Sequence, residues 1–261
     1  MTRLPYVEQG DVTGVPVVML HGVTDSWRSF EHVLPHLPAD IRAIAVTQRG
    51  HGDAPKPQSG YLVEDMAGDV IDLLDELEIE RAIVLGHSMG SWVTQRVAID
   101  HPERVLGIVL AGSFSGQPGD DPEMRALAHE MGSLREVTDK VARDFPESTV
   151  ARPLPAGQMD TFVAESLKVP AHVWNQAFLG FLEIDNAEGL AQVAAPALLI
   201  WGERDAFIPR ATQDELLETL PDARLEVYEA TGHAVHWDQP LRFARDVAAF
   251  SRYSAALQLS R

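Results

Sequence analysis

Short apolar runs alternate along the chain with stretches whose apolar residues recur at helical spacing. Runs typical of buried strands lie at residues 15–20, 41–46, 81–85, 105–111 and 196–201, and an alternating run lies at residues 224–228. Residues 63–77 place apolar side chains on one helical face, which predicts an amphipathic helix. Strands separated by helices imply right-handed crossovers. The pattern therefore predicts an α/β fold with a mainly parallel sheet that is covered by helices on both faces.

Residues 114–194 interrupt this alternation. They contain no convincing strand pattern and at least three helical ones, and the broadest apolar stripe consists of Trp174, Ala177, Phe178, Phe181 and Leu182. Ligands of open α/β sheets bind outside the carboxyl ends of the strands, where an insertion between two strands would lie. We therefore predict a core domain formed by residues 1–113 and 195–261, and a helical cap formed by residues 114–194.

Composition narrows the range of partners. The chain has 261 residues, a formal net charge of -18 and no cysteine. Because the acidic surface would repel phosphate groups, we expect neither nucleic acid nor an anionic membrane as a partner. The lack of cysteine excludes disulfides, thiolate metal ligands and a cysteine nucleophile. We expect a cytoplasmic protein, since no apolar signal region or membrane-spanning run is present.

One pentapeptide carries the first chemical signal. Gly86-His87-Ser88-Met89-Gly90 follows a predicted buried strand and precedes a segment with helical periodicity. A serine on such a sharp turn has its hydroxyl raised above the sheet, and the flanking glycines remove Cβ atoms that would collide. Ser88 is therefore a candidate nucleophile.

An acid and a base follow Ser88 in the order that this architecture requires. Asp205 comes just after a predicted strand, and His233 lies in the loop after the last strand. A neutral imidazole must take the proton of a serine hydroxyl during attack, and a carboxylate must orient that imidazole. His236, three residues further on, competes with His233 for the role of the base.

The oxyanion of a tetrahedral intermediate needs hydrogen-bond donors. We expect one from the backbone N–H of Met89, the residue after the nucleophile, and the other from the backbone N–H of Val23, in the loop after His21-Gly22. Losing one such donor typically costs about 2.7 to 4 kcal/mol of transition-state stabilisation.

Five landmarks in order resemble those of the α/β-hydrolase superfamily over nearly the whole chain. They are His21-Gly22, Arg49-Gly50-His51-Gly52, Gly86-His87-Ser88-Met89-Gly90, Gly202-Glu203-Arg204-Asp205 and Gly232-His233. The resemblance implies a mostly parallel eight-stranded sheet with a helical cap, and hydrolysis of ester-like bonds without a cofactor. It also favours His233 over His236, because Gly232 matches the family pattern.

The chain departs from that pattern at two places. Thr47-Gln48 stands where relatives often have an aspartate, and Asp238 stands where they often have a glutamate. We expect both changes to affect loop packing rather than chemistry.

These observations predict a serine hydrolase that cleaves a carboxylic ester or lactone of a small apolar substrate through an acyl-enzyme intermediate. Trp174, Phe178 and Phe114 are candidate substrate-binding residues. No cofactor is expected, and no metal site, because the ten histidines show no ligand spacing of a zinc motif. A ligand receptor without turnover and a perhydrolase that uses the same serine remain alternatives. The sequence does not decide between a monomer and a homodimer.

Overall fold

A seven-stranded sheet crosses the part of the chain that the computed structural model describes, which comprises residues 3–114, 116–155 and 157–259. The strands are β1 (Tyr6–Gln9), β2 (Val15–Leu20), β3 (Ile41–Val46), β4 (Ala82–His87), β5 (Val105–Ala111), β6 (Ala197–Gly202) and β7 (Ala223–Tyr228). Their order in the sheet is β1-β3-β2-β4-β5-β6-β7. All neighbouring strands are parallel except β1, which pairs antiparallel with β3.

Two details of the predicted sheet were wrong. The resemblance implied eight strands, whereas the described residues form seven. The apolar pattern also gave no sign of β1, because this four-residue edge strand is partly exposed and has no apolar run. Its pairing with β3 depends on backbone hydrogen bonds, which a side-chain pattern does not report.

The sheet separates two apolar clusters, and successive residues of one strand point into different ones. In β2, Val18 and Leu20 belong to the cluster that includes Trp92, while Val17 and Met19 belong to the cluster that includes Phe243. Both faces are therefore buried, which explains why the central strands read as continuous apolar runs rather than as alternating ones.

Helices cover both faces of the sheet and fill its crossovers. They are α1 (Val63–Glu76), α2 (Met89–Asp100), α3 (Pro122–Met131), α4 (Asp139–Ser148), α5 (Gln158–Leu167), α6 (Ala171–Gly180), α7 (Ala187–Leu190), α8 (Arg210–Thr219), α9 (Val235–Asp238) and α10 (Pro240–Leu259). The loop after β2 contains a 3-10 turn, Trp27–Phe30, capped by the Ser26 hydroxyl, which accepts from the Arg28 N–H.

Between β5 and β6, the described residues form helices α3 to α7 and short 3-10 turns, with no strand among them. No described helix is both long enough and apolar enough to cross a bilayer.

Candidate active site

Ser88 occupies a strained turn between β4 and α2. Its backbone has φ 52° and ψ -119°, a region that residues with a Cβ rarely adopt. The glycines on either side allow a close approach of backbones. A Cβ on Gly86 would lie 2.0 Å from the Gly90 carbonyl oxygen, and one on Gly90 would lie 2.4 Å from the Leu20 carbonyl oxygen. The side chain of Ser88 is half-buried, while His87 and Met89 beside it are buried.

Asp205 lies in the loop after β6 and His233 in the loop after β7, and their side chains form a hydrogen-bonded pair. His233 Nδ1 lies 2.8 Å from Asp205 Oδ2, and both side chains are buried. The other carboxylate oxygen, Oδ1, accepts from the backbone N–H groups of Phe207 at 2.8 Å and Ile208 at 3.0 Å. Since the carboxylate can only accept, His233 donates from Nδ1, and Nε2 is left as a proton acceptor.

His236 is engaged elsewhere. Its Nε2 atom lies 2.9 Å from the hydroxyl of Ser29, and its side chain is fully buried. Burial, followed by the proximity of His233, lowers the pKa of His236 to about 3. Of the two histidines in this loop, His233 is therefore the one that faces the acid.

The two departures from the family pattern make loop contacts. Asp238 accepts through Oδ2 from the backbone N–H of Gly232 at 2.9 Å and so holds the residue before His233. Gln48 donates from its backbone N–H to His21 Nε2 at 3.0 Å and from its side chain to the His21 carbonyl at 2.7 Å. Both contacts position the loops that border the site.

The loop after β2 lies against the nucleophile. A Cβ on Gly22 would lie only 3.3 Å from Ser88 Cβ, so the glycine allows the backbone of this loop to approach Ser88 closely. Val23, the next residue, is buried and lines the same cavity as Ser88. Met89 is the first residue of α2, where backbone N–H groups have no acceptor within the helix. Of the residues expected to supply the oxyanion donors, Met89 thus follows Ser88 directly and Val23 lines the same cavity.

Ser88 and His233 line one narrow cavity, which leaves about 30 Å³ for the centres of water-sized molecules. Its apolar wall includes Phe114, Met124, Phe145, Phe178, Phe181 and Phe207. Of the three candidate substrate-binding residues, Phe114 and Phe178 line this cavity. Trp174 is not among its described lining residues: it is fully buried behind Phe178, on which it stacks with ring centroids 5.8 Å apart.

Several lining residues were not predicted from the sequence, and three of them lie close to motif residues. The Phe207 ring lies 5.2 Å from the His233 ring, and Trp237 stacks on Phe162 at 3.8 Å. Asp25, a buried residue with a carboxyl side chain, also lines the cavity. Each of these three is within four residues of a motif residue, and that proximity was the available signal.

Among the described residues, no three His, Cys, Asp or Glu side chains are grouped so that they could hold an ion.

Comparisons with known proteins agree with this geometry. A family model described as alpha/beta hydrolase fold matches residues 15–240. A 2-hydroxy-6-oxononadienedioate/2-hydroxy-6-oxononatrienedioate hydrolase of Paraburkholderia xenovorans is 30% identical over 247 residues, covering 90% of this chain and 86% of the relative. Among solved structures, an esterase from Exiguobacterium antarcticum is 25% identical with a TM-score of 0.84 and covers 96% of both chains. Est816, described as an N-acyl homoserine lactone degrading enzyme, is 27% identical with a TM-score of 0.76, covering 95% of this chain and 97% of its own.

Proposed function

The chain belongs to the alpha/beta hydrolase fold family, and from this premise we propose that it is a serine hydrolase that cleaves a carboxylic ester or lactone. The observation that carries the proposal is one shared cavity. Ser88, on its strained turn, and the imidazole that Asp205 orients both line it. The esterase and lactonase names among similar structures support the same chemistry.

The proposed reaction proceeds through an acyl-enzyme. Ser88 Oγ attacks the carbonyl carbon while His233 Nε2 takes the hydroxyl proton. The N–H groups of Met89 and Val23 bind the oxyanion, and the tetrahedral intermediate collapses as His233 returns the proton to the leaving alcohol. A water molecule, deprotonated by His233, then attacks the acyl-enzyme and releases the acid and Ser88. Asp205 stabilises the imidazolium in both halves.

The cavity favours an uncharged substrate with a short acyl group. Its open space is small, and none of the described residues that line it is a lysine or an arginine. The relative from Paraburkholderia xenovorans is named for a dioate, a compound with two carboxylates. Burying such charges without cationic partners is costly, so we propose an ester or lactone instead of a dicarboxylate.

We also propose that residues 114–194 act as a cap over the site. Helices α3, α4 and α6 supply Met124, Phe145 and Phe178 to the cavity wall. The hydroxyl of Ser166, on α5, lies 3.1 Å from the hydroxyl of Thr24, in the loop that holds Val23. This contact ties the cap to the oxyanion loop, and the aromatic wall would exclude water around the acyl group.

The test is hydrolysis of p-nitrophenyl esters of graded chain length, together with several lactones. We expect turnover with the shortest acyl groups to be fastest. Ser88→Ala should lower kcat by about 10⁶-fold, and an organophosphonate should label Ser88. Ser133→Ala, at a surface serine beyond α3, is the control and should retain the parent rate.

Other outcomes would replace the proposal. Full ester hydrolysis by Ser88→Ala would remove Ser88 as the nucleophile. Tight ligand binding without turnover would indicate a receptor, and formation of a peracid from acetate and hydrogen peroxide would indicate a perhydrolase.

A further inference from the structure

Asp25 is an unusual member of the cavity wall. Among the described lining residues it alone carries a carboxyl group, and it is only 4% exposed. No lysine or arginine in the described part of the chain lies within ion-pair distance of it. The nearby acid Glu165 takes the local cations instead, with Lys168 at 2.9 Å and Arg28 at 3.7 Å. A buried carboxyl next to the nucleophile therefore has no countercharge.

The hydrogen bonds around Ser29 show which oxygen of Asp25 is free. Ser29 Oγ lies 3.0 Å from Trp237 Nε1, which can only donate, and 2.9 Å from His236 Nε2. His236 Nδ1 is buried without a partner, and an unpaired lone pair costs less than an unpaired N–H, so the His236 proton sits on Nε2. Both lone pairs of Ser29 Oγ are then occupied. The Ser29 hydroxyl must donate to Asp25 Oδ2, which lies 3.1 Å away.

Oδ1 is the atom left over. No described residue bonds to Oδ1, and it is absent from the set of fully buried side-chain atoms that lack a partner. Because Asp25 lines the cavity, the cavity is the open space that Oδ1 can face. This oxygen would add a polar atom to a wall that Thr24, His87 and Thr149 also line.

Burial without a countercharge favours the neutral form of this carboxyl. Desolvation raises the pKa of Asp25 well above its ordinary value; the bond from Ser29 opposes the shift, and the negative charge of Glu165 adds to it. The titratable and charged groups around Asp25 are His236, Glu165 with its partners Arg28 and Lys168, and the cavity histidines His87 and His233. Burial also lowers the pKa values of His87 and His236, so neither supplies a positive charge. With Oδ2 as the acceptor, Oδ1 carries the proton.

We propose that Asp25 is a substrate-binding residue that donates its carboxylic O–H to a second oxygen of the substrate, beyond the scissile ester. This inference rests on the proposed function and names its substrate class: uncharged esters or lactones that carry an additional keto, ether or amide oxygen. A buried donor in a wall with a large aromatic share discriminates for such an oxygen, because a substrate without it leaves the donor unpaired.

The experiment compares esters that differ only by that oxygen. Ethyl 3-oxobutanoate is paired with ethyl butanoate, ethyl 4-oxopentanoate with ethyl pentanoate, and 2-methoxyethyl butanoate with butyl butanoate, and acid release is followed by pH-stat titration. The readout is the ratio of kcat/KM within each pair, which cancels changes shared by both esters. The variants are Asp25→Asn, which keeps a donor of similar shape, and Asp25→Leu, which removes it. The control is Asp214→Leu, at an exposed carboxyl on α8.

We expect the ratio of at least one pair, oxygenated ester over alkyl ester, to be about threefold to tenfold higher in the parent, in Asp25→Asn and in Asp214→Leu than in Asp25→Leu. The comparison between variants removes the difference in intrinsic reactivity between the two esters, and Asp25→Ala replaces the leucine variant if that variant does not fold. The proposal is overturned if Asp25→Leu keeps the parent ratio for every pair, or if Asp25→Asn lowers the ratio as far as Asp25→Leu does. Ser88-dependent hydrolysis with either of these outcomes would refute only the role of Asp25. Absence of Ser88-dependent hydrolysis would refute the proposed function itself.

Discussion

Asp205 uses each of its carboxylate oxygens for a different task. Oδ1 is held by two backbone N–H groups, and Oδ2 accepts from His233 Nδ1 at 2.8 Å. In Asp205→Asn the amide oxygen would keep the backbone bonds, so the NH₂ group would face His233. The imidazole would then have to accept at Nδ1 and carry its proton on Nε2, where it can no longer take the proton of Ser88.

We therefore expect Asp205→Asn to lower kcat by about 10⁴-fold with little change in KM, measured with p-nitrophenyl acetate. Asp214→Asn, on the exposed face of α8, serves as the matched control and should keep the parent kcat. A tenfold effect or less from Asp205→Asn would mean that the proton transfer does not depend on this tautomer.

The order of the motifs along the chain predicted which residues form the candidate site, but not which residues surround them. Ser88, Asp205 and His233 follow from residue type and position relative to strands. Trp174 and Phe178 share one face of α6, yet only Phe178 lines the cavity. An apolar stripe predicts that a face is buried, and it does not distinguish burial against a cavity from burial in a core. The role proposed for Asp25 depends on hydrogen bonds to Ser29 and His236, which no sequence motif links to it.

At the scale of elements, the site depends on how closely β4, α2 and β2 approach. A Cβ on Gly90 would lie 2.4 Å from the Leu20 carbonyl, a rigid backbone atom, whereas a Cβ on Gly68 of α1 would meet nothing within 4 Å. Substitution by alanine should therefore change the stability of the protein in opposite directions at the two positions. Gly90 is needed for close packing, whereas Gly68 only weakens its helix.

We expect Gly90→Ala to lower the free energy of unfolding by about 1 to 3 kcal/mol or more, through displacement of α2 from the sheet. Gly68→Ala should raise it by about 0.5 to 1 kcal/mol. Urea titration followed by circular dichroism measures both. Equal effects of the two substitutions would contradict the close approach at Gly90.

An element could be predicted from the sequence where buried side chains define it, and not where backbone hydrogen bonds do. Central strands such as β4 are covered on both faces and so appear in the sequence as apolar runs. The edge strand β1 and the 3-10 turn at Trp27 depend on backbone hydrogen bonds, which leave little trace in the pattern of side chains. The number of strands therefore had to come from the structure.

At the scale of the whole molecule, several histidines are buried in a chain whose net charge is -18. Burial holds the pKa of His51 at about 4 and lowers those of His21, His87 and His236. These rings stay neutral in the folded state, whereas an unfolded chain protonates its histidines near pH 6.5. Asp25, with its raised pKa, acts in the opposite direction, because its folded form binds the additional proton.

The consequence is a loss of stability on acidification that can be assigned to single rings. Between pH 6.5 and about 4 the unfolded state binds one more proton at His51 than the folded state does. The contribution of this ring to stability is therefore complete above pH 6.5 and is lost as the pH falls, by about 1.4 kcal/mol per pH unit.

His51→Gln should reduce the slope of unfolding free energy against pH by about that amount between pH 6 and 4.5, measured by urea unfolding at each pH. The exposed His129 provides the control, since His129→Gln should leave the slope unchanged. Equal slopes for His51→Gln and the parent would show that His51 is protonated in the folded state, and the buried pair that its ring forms with His21, 5.1 Å between centroids, would then need a countercharge.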